Sequence, residues 1–295
     1  MALPARKLVA RLHGVQGSIV NLVWAVLITA AVVAIAVVAM LFVRRNAPEG
    51  GYFADGDRAA GVFGVLATGF SVLLGFIVFL AFTSYDQSRT GAETEALTVV
   101  QQVETAQFFP AGVPAEFTGE LVCYGRSVVH GEWERMRAHT LGDNLNPWGV
   151  KLFRTLKTVD PKSASEQSAY DKWLEQTSTR EEARHDRIHG AVGVIPTVLW
   201  IVIFFIAAVI FVYTLFFADS GERAVVQGLL MGSVVSVITT MLLLLQALDN
   251  PFHKGVGGLS PVAMTRSLRL VDQVLPNLDA KVQIPCNLEG VQTKA

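Results

Sequence analysis

The sequence predicts an all-α membrane protein in which four transmembrane helices are extended by cytoplasmic helices. Four apolar segments of at least 25 residues contain no Asp, Glu, Lys or Arg, and they cover 19–43, 59–83, 190–218 and 224–248. A helix needs about 20 apolar residues to cross a hydrocarbon core of about 30 Å, so each segment can span a bilayer. The chain is also 52% hydrophobic and only 17% charged, whereas a soluble domain is about 25% charged.

The apolar segments divide the chain into four regions. We expect a first transmembrane hairpin at 1–83, a cytoplasmic helical region at 84–189, a second transmembrane hairpin at 190–248 and a cytoplasmic tail at 249–295. The first segment is too long for a secretory signal peptide and is followed by Arg44 and Arg45, so it is predicted to remain as a helix. The net charge of −1 gives no indication of a nucleic-acid partner.

The distribution of basic residues predicts the orientation of the chain. Four spans place both termini and the middle region on one side, where ten basic residues lie near the membrane: Arg6, Lys7, Arg11, Arg89, Lys172, Arg180, Arg184, Arg187, Lys254 and Arg266. The opposite loops hold four: Arg44, Arg45, Arg58 and Arg223. Because cytoplasmic flanks carry the excess of basic residues, we predict a multi-pass protein of the cell (inner) membrane with both termini cytoplasmic. Cys123 and Cys286 are then predicted to be free thiols in a reducing compartment.

The middle region is predicted to be helical throughout. A mixed spacing of three and four apolar residues continues the second span to about Phe109, before two prolines. A further helix is expected over 115–139, and Gly142-Asp143-Asn144 marks a turn. The last helix of this region is predicted to begin at Asp160-Pro161 and to run into the third span, where Pro196 would kink it.

Small residues in the spans allow two interpretations. The fourth span carries Gly228, Gly232, Ser236 and Thr240 at a spacing of four, and the second span carries Gly61, Gly64, Gly69 and Gly75. Such a ridge is typical of a packing seam between helices, although hydroxyl groups could also line a conduit. The spans contain no ionisable residue, which argues against a proton relay, an ion-coupled carrier or an intramembrane protease. A passive pore does not need one.

Three stretches of sequence resemble the bestrophin channels. The second span reads Ser71-Val72-Leu73-Leu74-Gly75-Phe76-Ile77-Val78-Phe79-Leu80 and is followed by Thr83-Ser84-Tyr85-Asp86. The fourth span is followed by Asn250-Pro251-Phe252. The chain is most similar to the bacterial bestrophin-like family, with which it shares Tyr85-Asp86, Glu93, Glu95-Ala96, Glu132-Trp133 and Leu248-Asp249-Asn250-Pro251-Phe252.

The resemblance implies a homo-oligomeric ion channel, expected to be a pentamer, with a central pore lined by the second transmembrane helix. Its expected partners are the lipid bilayer, inorganic ions and further copies of the chain, without a cofactor or a metal. The pore neck would consist of Thr68, Val72 and Phe76, whose spacing of four places them on one stripe of a helix. The pore mouth would consist of Phe79, Thr83 and Asp86. The alternative for Val72 and Phe76 is packing against a neighbouring helix.

The tail departs from the calcium-gated bestrophins. In those channels a run of acidic residues follows the Asn-Pro-Phe segment and holds calcium. Here residues 253–258 contain no carboxylate, and calcium needs six to eight oxygen ligands. We therefore expect a channel that is not calcium-gated through the tail, and the resemblance does not fix its ion selectivity.

The remaining candidates leave alternatives open. His185 and His189 could hold a metal at a spacing of four, but a solvated helix end is the more ordinary interpretation. Charged residues below the second span could ring the pore mouth or form local pairs, and they are Asp86, Arg89, Glu93 and Glu95. The segment Glu132-Trp133-Glu134-Arg135 is interpreted as a packed helix with a solvated face.

Two function classes follow from these observations. No catalytic arrangement of residues stands out, so an enzyme is not expected. An ion channel is favoured, and the alternative is a non-conducting membrane scaffold or sensor that binds a cytoplasmic partner.

Overall fold

The computed structural model describes residues 3–141, 144–277 and 282–293, with side chains from Leu22 onward. These residues form α-helices and no extended strand, which confirms the predicted all-α fold. The α-helices are α1 (Leu3–Arg45), α2 (Gly56–Ala106), α3 (Val113–Ser127), α4 (Trp133–Arg137), α5 (Pro147–Leu156), α6 (Ala164–His189), α7 (Thr197–Leu215), α8 (Ala224–Asp249) and α9 (Val262–Val274). A π-helical turn, Val128–Glu132, joins α3 to α4.

Four of these helices are long and apolar enough to cross a membrane: α2, α7, α8 and the part of α1 that covers Leu22–Arg45. They correspond to the four apolar segments of the sequence. Contacts divide the chain into two compact units. The membrane unit consists of Met1–Thr83, Gly193–Asn250 and Lys254–Gly258, and the helical unit consists of Ser84–Val192, Pro251–His253 and Leu259–Ala295. Helix α2 contributes to both.

The glycine ridge of α8 is a packing seam with α1. A Cβ added at Gly228 would lie 3.7 Å from Val37, and one added at Gly232 would lie 3.3 Å from Val33. Buried Ala36 and Met40 of α1 complete this contact with Met231 and Val235 of α8. The packing interpretation is therefore confirmed for the two glycines of α8. The four glycines of the second span differ, because an added Cβ would meet nothing within 4 Å at any of them.

The predicted continuous helix from Asp160 into the third span is wrong. Helix α6 begins after Ser163, which caps it, and ends at His189. Gly193 adopts a left-handed φ of 79°, and Pro196 precedes the first residue of α7 instead of kinking it. Asp249 stabilises this break, because its Oδ1 accepts the backbone N–H groups of Val194 at 2.7 Å and Ile195 at 2.9 Å.

The helical unit has an aromatic core. The ring centroids of Phe117 of α3 and Trp173 of α6 lie 4.1 Å apart, and Tyr124 and Trp133 are also buried. The core includes α5, which lies in the region predicted to be helical but was not delimited there, and α9 of the tail, which the sequence did not predict. The expected helix over 115–139 is present but is interrupted by the π-helical turn. Of the predicted turn, Gly142 and Asp143 lie outside the described residues.

The prediction of free thiols is wrong. Cys123 and Cys286 form a disulfide across a sequence separation of 163 residues. Residues 282–293, which we call the tail segment, pack on α3 and bring Cys286 to a helix that carries Cys123. Two isolated cysteines so far apart carry no sequence pattern that reveals this contact.

Candidate pore-lining stripe and buried ion-pair network

Helix α2 has one buried and one exposed face in the membrane unit. The buried face consists of Phe70, Leu74, Ile77 and Ala81, which pack against apolar residues of α7 and α8. At 100° per residue, these four positions occupy a sector of about 60° of the helix surface. The core of the membrane unit therefore fixes how α2 is rotated about its own axis.

The six predicted pore residues lie on the opposite face of α2. Thr68, Val72, Phe76, Phe79, Thr83 and Asp86 fall within a sector of about 80° at 100° per residue, and all six are exposed in the single chain. Val72 is 55% exposed and Phe76 is 66% exposed. We call this face the α2 stripe. Val72 and Phe76 thus do not pack in the core of their own chain, and the stripe is free to contact lipid, another copy of the chain or a pore.

The helical unit contains a buried network of charged side chains centred on Arg187 of α6. Arg187 contacts Glu95 of α2 through Nε–Oε2 at 2.5 Å and Nη2–Oε1 at 3.0 Å. Its Nη2 also donates to Glu132 Oε2 at 2.6 Å. Arg187 and Glu95 are 0% exposed, and Glu132 is 1% exposed. Two carboxylates from different parts of the chain therefore share one guanidinium that water does not reach.

Further donors satisfy the remaining oxygens of the two carboxylates. Tyr124 donates its hydroxyl to Glu95 Oε1 at 2.6 Å. Arg184 donates to Glu132 Oε1 at 2.8 Å, and Asn146 donates to the same oxygen at 3.0 Å. Because every carboxylate oxygen is paired, the network is suited to fixing helices in place rather than to exchanging protons.

The pKa shifts in this network agree with fixed charges. Burial alone would raise the pKa of Glu132, but the positive charges of Arg187 and Arg184 outweigh it and hold the pKa below its usual range. The pKa of Arg187 is raised, because attraction by Glu95 and Glu132 outweighs the effect of burial. Burial and the nearby charge of Glu95 raise the pKa of Tyr124 well above its usual value. All these groups therefore keep their charge state near neutral pH.

Two sequence interpretations change as a result. Glu95 is buried and paired, so it does not belong to an exposed ring at the pore mouth. Arg89 and Glu93 form the expected local pair at 3.3 Å on the exposed surface. Glu134 and Arg135 are exposed as predicted, but Glu132 is buried in the network instead of lying on the solvated face.

The family motif after the fourth span has structural partners. The rings of Phe252 and Trp133 meet edge to face, with centroids 5.3 Å apart. Trp133 also donates its indole N–H to the carbonyl of Leu259 at 3.4 Å. The rings of His185 and His189 lie 6.3 Å apart, and the described part of the chain contains no group of three or more metal-ligating side chains.

Comparisons with known proteins identify the family. The model of the Bestrophin-like domain matches residues 56–264, so the chain belongs to the bestrophin-like family. A point variant of a bacterial bestrophin homologue from Klebsiella pneumoniae has a similar fold, with a TM-score of 0.62 and 13% identity over 86% of this chain and 98% of that chain. Another structure of a bacterial bestrophin homologue from the same organism has a TM-score of 0.58 and 12% identity, over 85% of this chain and 97% of that chain. The comparison with curated proteins finds no match.

Proposed function

We propose that the chain is the subunit of a homo-oligomeric ion channel in which copies of α2 surround a central pore. The expected neck is Thr68, Val72 and Phe76, and the expected mouth is Phe79, Thr83 and Asp86. The observation that supports this proposal is the exposure of the α2 stripe, opposite a face that is buried in the core of the chain. The chain belongs to the bestrophin-like family, and from the resemblance to bestrophin channels we expect a homo-oligomer, namely a pentamer.

The composition of the stripe fits a passive, gated pore. Val72 and Phe76 would form two apolar layers, which can close a pore by expelling water, and Thr68 would form a polar layer. Asp86 would place a ring of negative charge at one end. Residues 253–258 carry no carboxylate, so opening should not depend on calcium held by the tail.

Truncation of the neck tests the proposal in planar bilayers. Val72→Ala and Phe76→Ala should widen or hydrate the apolar layers and increase ion conductance. The matched controls are Val237→Ala on α8 and Phe205→Ala on α7, whose side chains are 60% and 67% exposed in the single chain. These controls should leave the conductance unchanged, and all four variants should retain the oligomer size of the wild type.

Other outcomes would contradict the neck assignment. If Phe76 packs between subunits, its truncation should weaken the oligomer by a few kcal/mol without changing the conductance. If the stripe faces lipid, neither the oligomer nor the conductance should change. An oligomer without conductance in wild type and variants would favour a membrane scaffold or sensor.

A further inference from the structure

The tail segment is attached to α3 by a disulfide and to α5 by a hydrogen bond. The disulfide joins Cys286 to Cys123, and Trp148 of α5 donates its indole N–H to the carbonyl of Gly290 at 2.6 Å. Within the segment, two backbone hydrogen bonds, Asn287 N–H to Val291 O at 3.0 Å and Thr293 N–H to Pro285 O at 3.1 Å, close a small hairpin. The segment is therefore an ordered part of the helical unit.

Two glycines allow this close approach. A Cβ at Gly119 of α3 would lie 2.2 Å from the carbonyl oxygen of Gln283. Gly290 has a φ of 78°, and its Cβ would lie 2.3 Å from the backbone nitrogen of Ser127. Real Cβ atoms do not approach backbone atoms so closely, so any side chain at either position would displace the tail segment.

The two sulfurs have different surroundings. Cys123 is 0% exposed and Cys286 is 6% exposed, and both belong to the core of the helical unit. The guanidinium of Arg126 lies 4.0 Å from Cys286 Sγ and donates to the carbonyl of Asn287 at 3.3 Å. A cation beside a sulfur stabilises its thiolate, which is the form that takes part in thiol–disulfide exchange.

We propose that the Cys123–Cys286 disulfide is a redox-responsive lock that fixes the tail segment on α3. The distribution of basic residues predicts that the helical unit lies in the cytoplasm, where protein disulfides are usually transient or redox-sensing. Reduction breaks the S–S bond and gives two thiols, which gain two protons and two electrons from a dithiol reductant that itself becomes a disulfide. In the reverse direction the Cys286 thiolate, which lies beside Arg126, attacks a disulfide oxidant and releases its first thiol. The Cys123 thiolate then attacks Cys286 Sγ and releases the second thiol, so that the oxidant leaves as two thiols.

Release of the tail segment would open a cleft in the helical unit. Residues 289–292 form one wall of a cleft of about 850 Å³, which Trp148 and Lys151 of α5 also line. After reduction, only hydrogen bonds and packing hold this wall. The lock is independent of ion conduction, and its readouts do not require a bilayer.

The first experiment compares oxidised and reduced wild-type protein in detergent. A dithiol reductant is titrated, the thiols are alkylated and counted by mass spectrometry, and amide hydrogen exchange is measured at residues 283–293. Both cysteines should be reduced while the protein remains folded, and exchange in the tail segment should accelerate several-fold. Exchange in α6 should not change, which provides the internal control.

Two variants separate a lock from a purely structural bond. Cys286→Ser should reproduce the fast tail exchange of the reduced protein. Arg126→Ala should slow the reoxidation of reduced protein several-fold and move the reactivity of Cys286 to higher pH, because the thiolate loses its cation. Arg269→Ala, an exposed arginine of α9, should do neither.

Three outcomes would overturn the lock. The disulfide would be a permanent structural bond if it resisted the reductant until the protein unfolded. The tail would be held without the bond if Cys286→Ser exchanged as slowly as oxidised wild type. Alkylation of thiols in acid-quenched cells should detect the reduced form in wild type, and a fully oxidised pool that did not respond to added reductant would contradict the proposal.

Discussion

Arg187 is the residue that pairs with both buried carboxylates of the network, Glu95 and Glu132. Replacement by Met removes the shared partner of Glu95 and Glu132 and leaves two buried carboxylates without their main counter-ion. Breaking a buried pair in this way costs about 3–5 kcal/mol. We therefore expect Arg187→Met to lower the free energy of unfolding by about that amount, as measured by chemical denaturation in detergent.

The matched control is an arginine in an exposed pair. Arg89 and Glu93 are both largely exposed, and such pairs contribute about 0–1 kcal/mol. Arg89→Met should therefore have little effect on the same denaturation curve. An equal loss in both variants would show that the buried network is not the source of the stability.

Glu120 predicts a pH dependence of stability. Burial raises its pKa above the usual value of 4.5, and the hydrogen bond from Thr155 and the charge of Lys151 offset this only in part. The folded protein then binds more protons than the unfolded chain, so the contribution to stability is full below pH 4.5 and is lost as the pH rises through the raised pKa. Glu120→Gln should remove this loss, so that the midpoint temperature of thermal unfolding depends less on pH between pH 4.5 and about 7 than it does in the wild type.

Two comparisons make the origin of this slope clear. Glu182→Gln changes an exposed carboxyl on α6 that is not among the groups that shift the pKa of Glu120, and it should keep the wild-type slope. Glu132 has a lowered pKa, so its contribution is present above pH 4.5 and is lost only at more acidic pH. A wild-type slope that persisted in Glu120→Gln would assign the effect to another group.

At the scale of elements, Gly91 allows α2 and α6 to approach closely. A Cβ at this position would lie 2.6 Å from the carbonyl oxygen of Ala183 and 2.7 Å from the backbone nitrogen of Arg187. Both atoms belong to a helix backbone and cannot rotate away. Gly91→Ala should therefore separate the helices and cost about 1–3 kcal/mol, as seen in the same denaturation experiment.

Gly131 is the control for helix propensity. An added Cβ there would meet only Arg135 Nη2, at 3.9 Å. Since Ala is favoured over Gly within a helix, Gly131→Ala should be neutral or stabilising. A similar loss of stability in both variants would contradict the close-packing explanation.

Elements were predictable from the sequence where local patterns determine them. The four spans follow from their uninterrupted apolar composition. The apolar spacing at 96–103 predicted that α2 continues well beyond its span. The break between α6 and α7 was missed because Gly193 and Pro196 lie within an apolar segment. The carboxylate that stabilises this break, Asp249, comes from a position 55 residues further along the chain.

The same distinction applies to the candidate site. The α2 stripe was predictable, because a spacing of three or four places its residues on one face of a helix. The network was not, because Arg187 is separated from Glu95 by 92 residues and from Glu132 by 55. The presence of Glu95 and Glu132 in the family motif was the available signal. The disulfide had none, since the chain contains two cysteines in unrelated contexts.

At the scale of the whole molecule, the predicted orientation and the disulfide indicate different compartments for the helical unit. Ten basic residues against four predict that the helical unit lies in the cytoplasm, whereas stable disulfides are typical of oxidising compartments such as the bacterial periplasm. A redox-responsive bond satisfies both observations. A permanent bond would instead require the helical unit to lie outside the cytoplasm.

Cysteine labelling of intact cells decides the orientation. In a background that carries Cys123→Ala and Cys286→Ala, single thiols are introduced at Glu49 and Ser220 in the short loops and at Lys157 in the helical unit, all of which are exposed positions. An impermeant reagent should label the two loop thiols and should label Lys157→Cys only after permeabilisation. The cysteine-free parent should remain unlabelled, and size-exclusion chromatography should show that each variant is folded. Labelling of Lys157→Cys in intact cells would reverse the topology and would also contradict the redox lock, because the disulfide would then lie in an oxidising compartment.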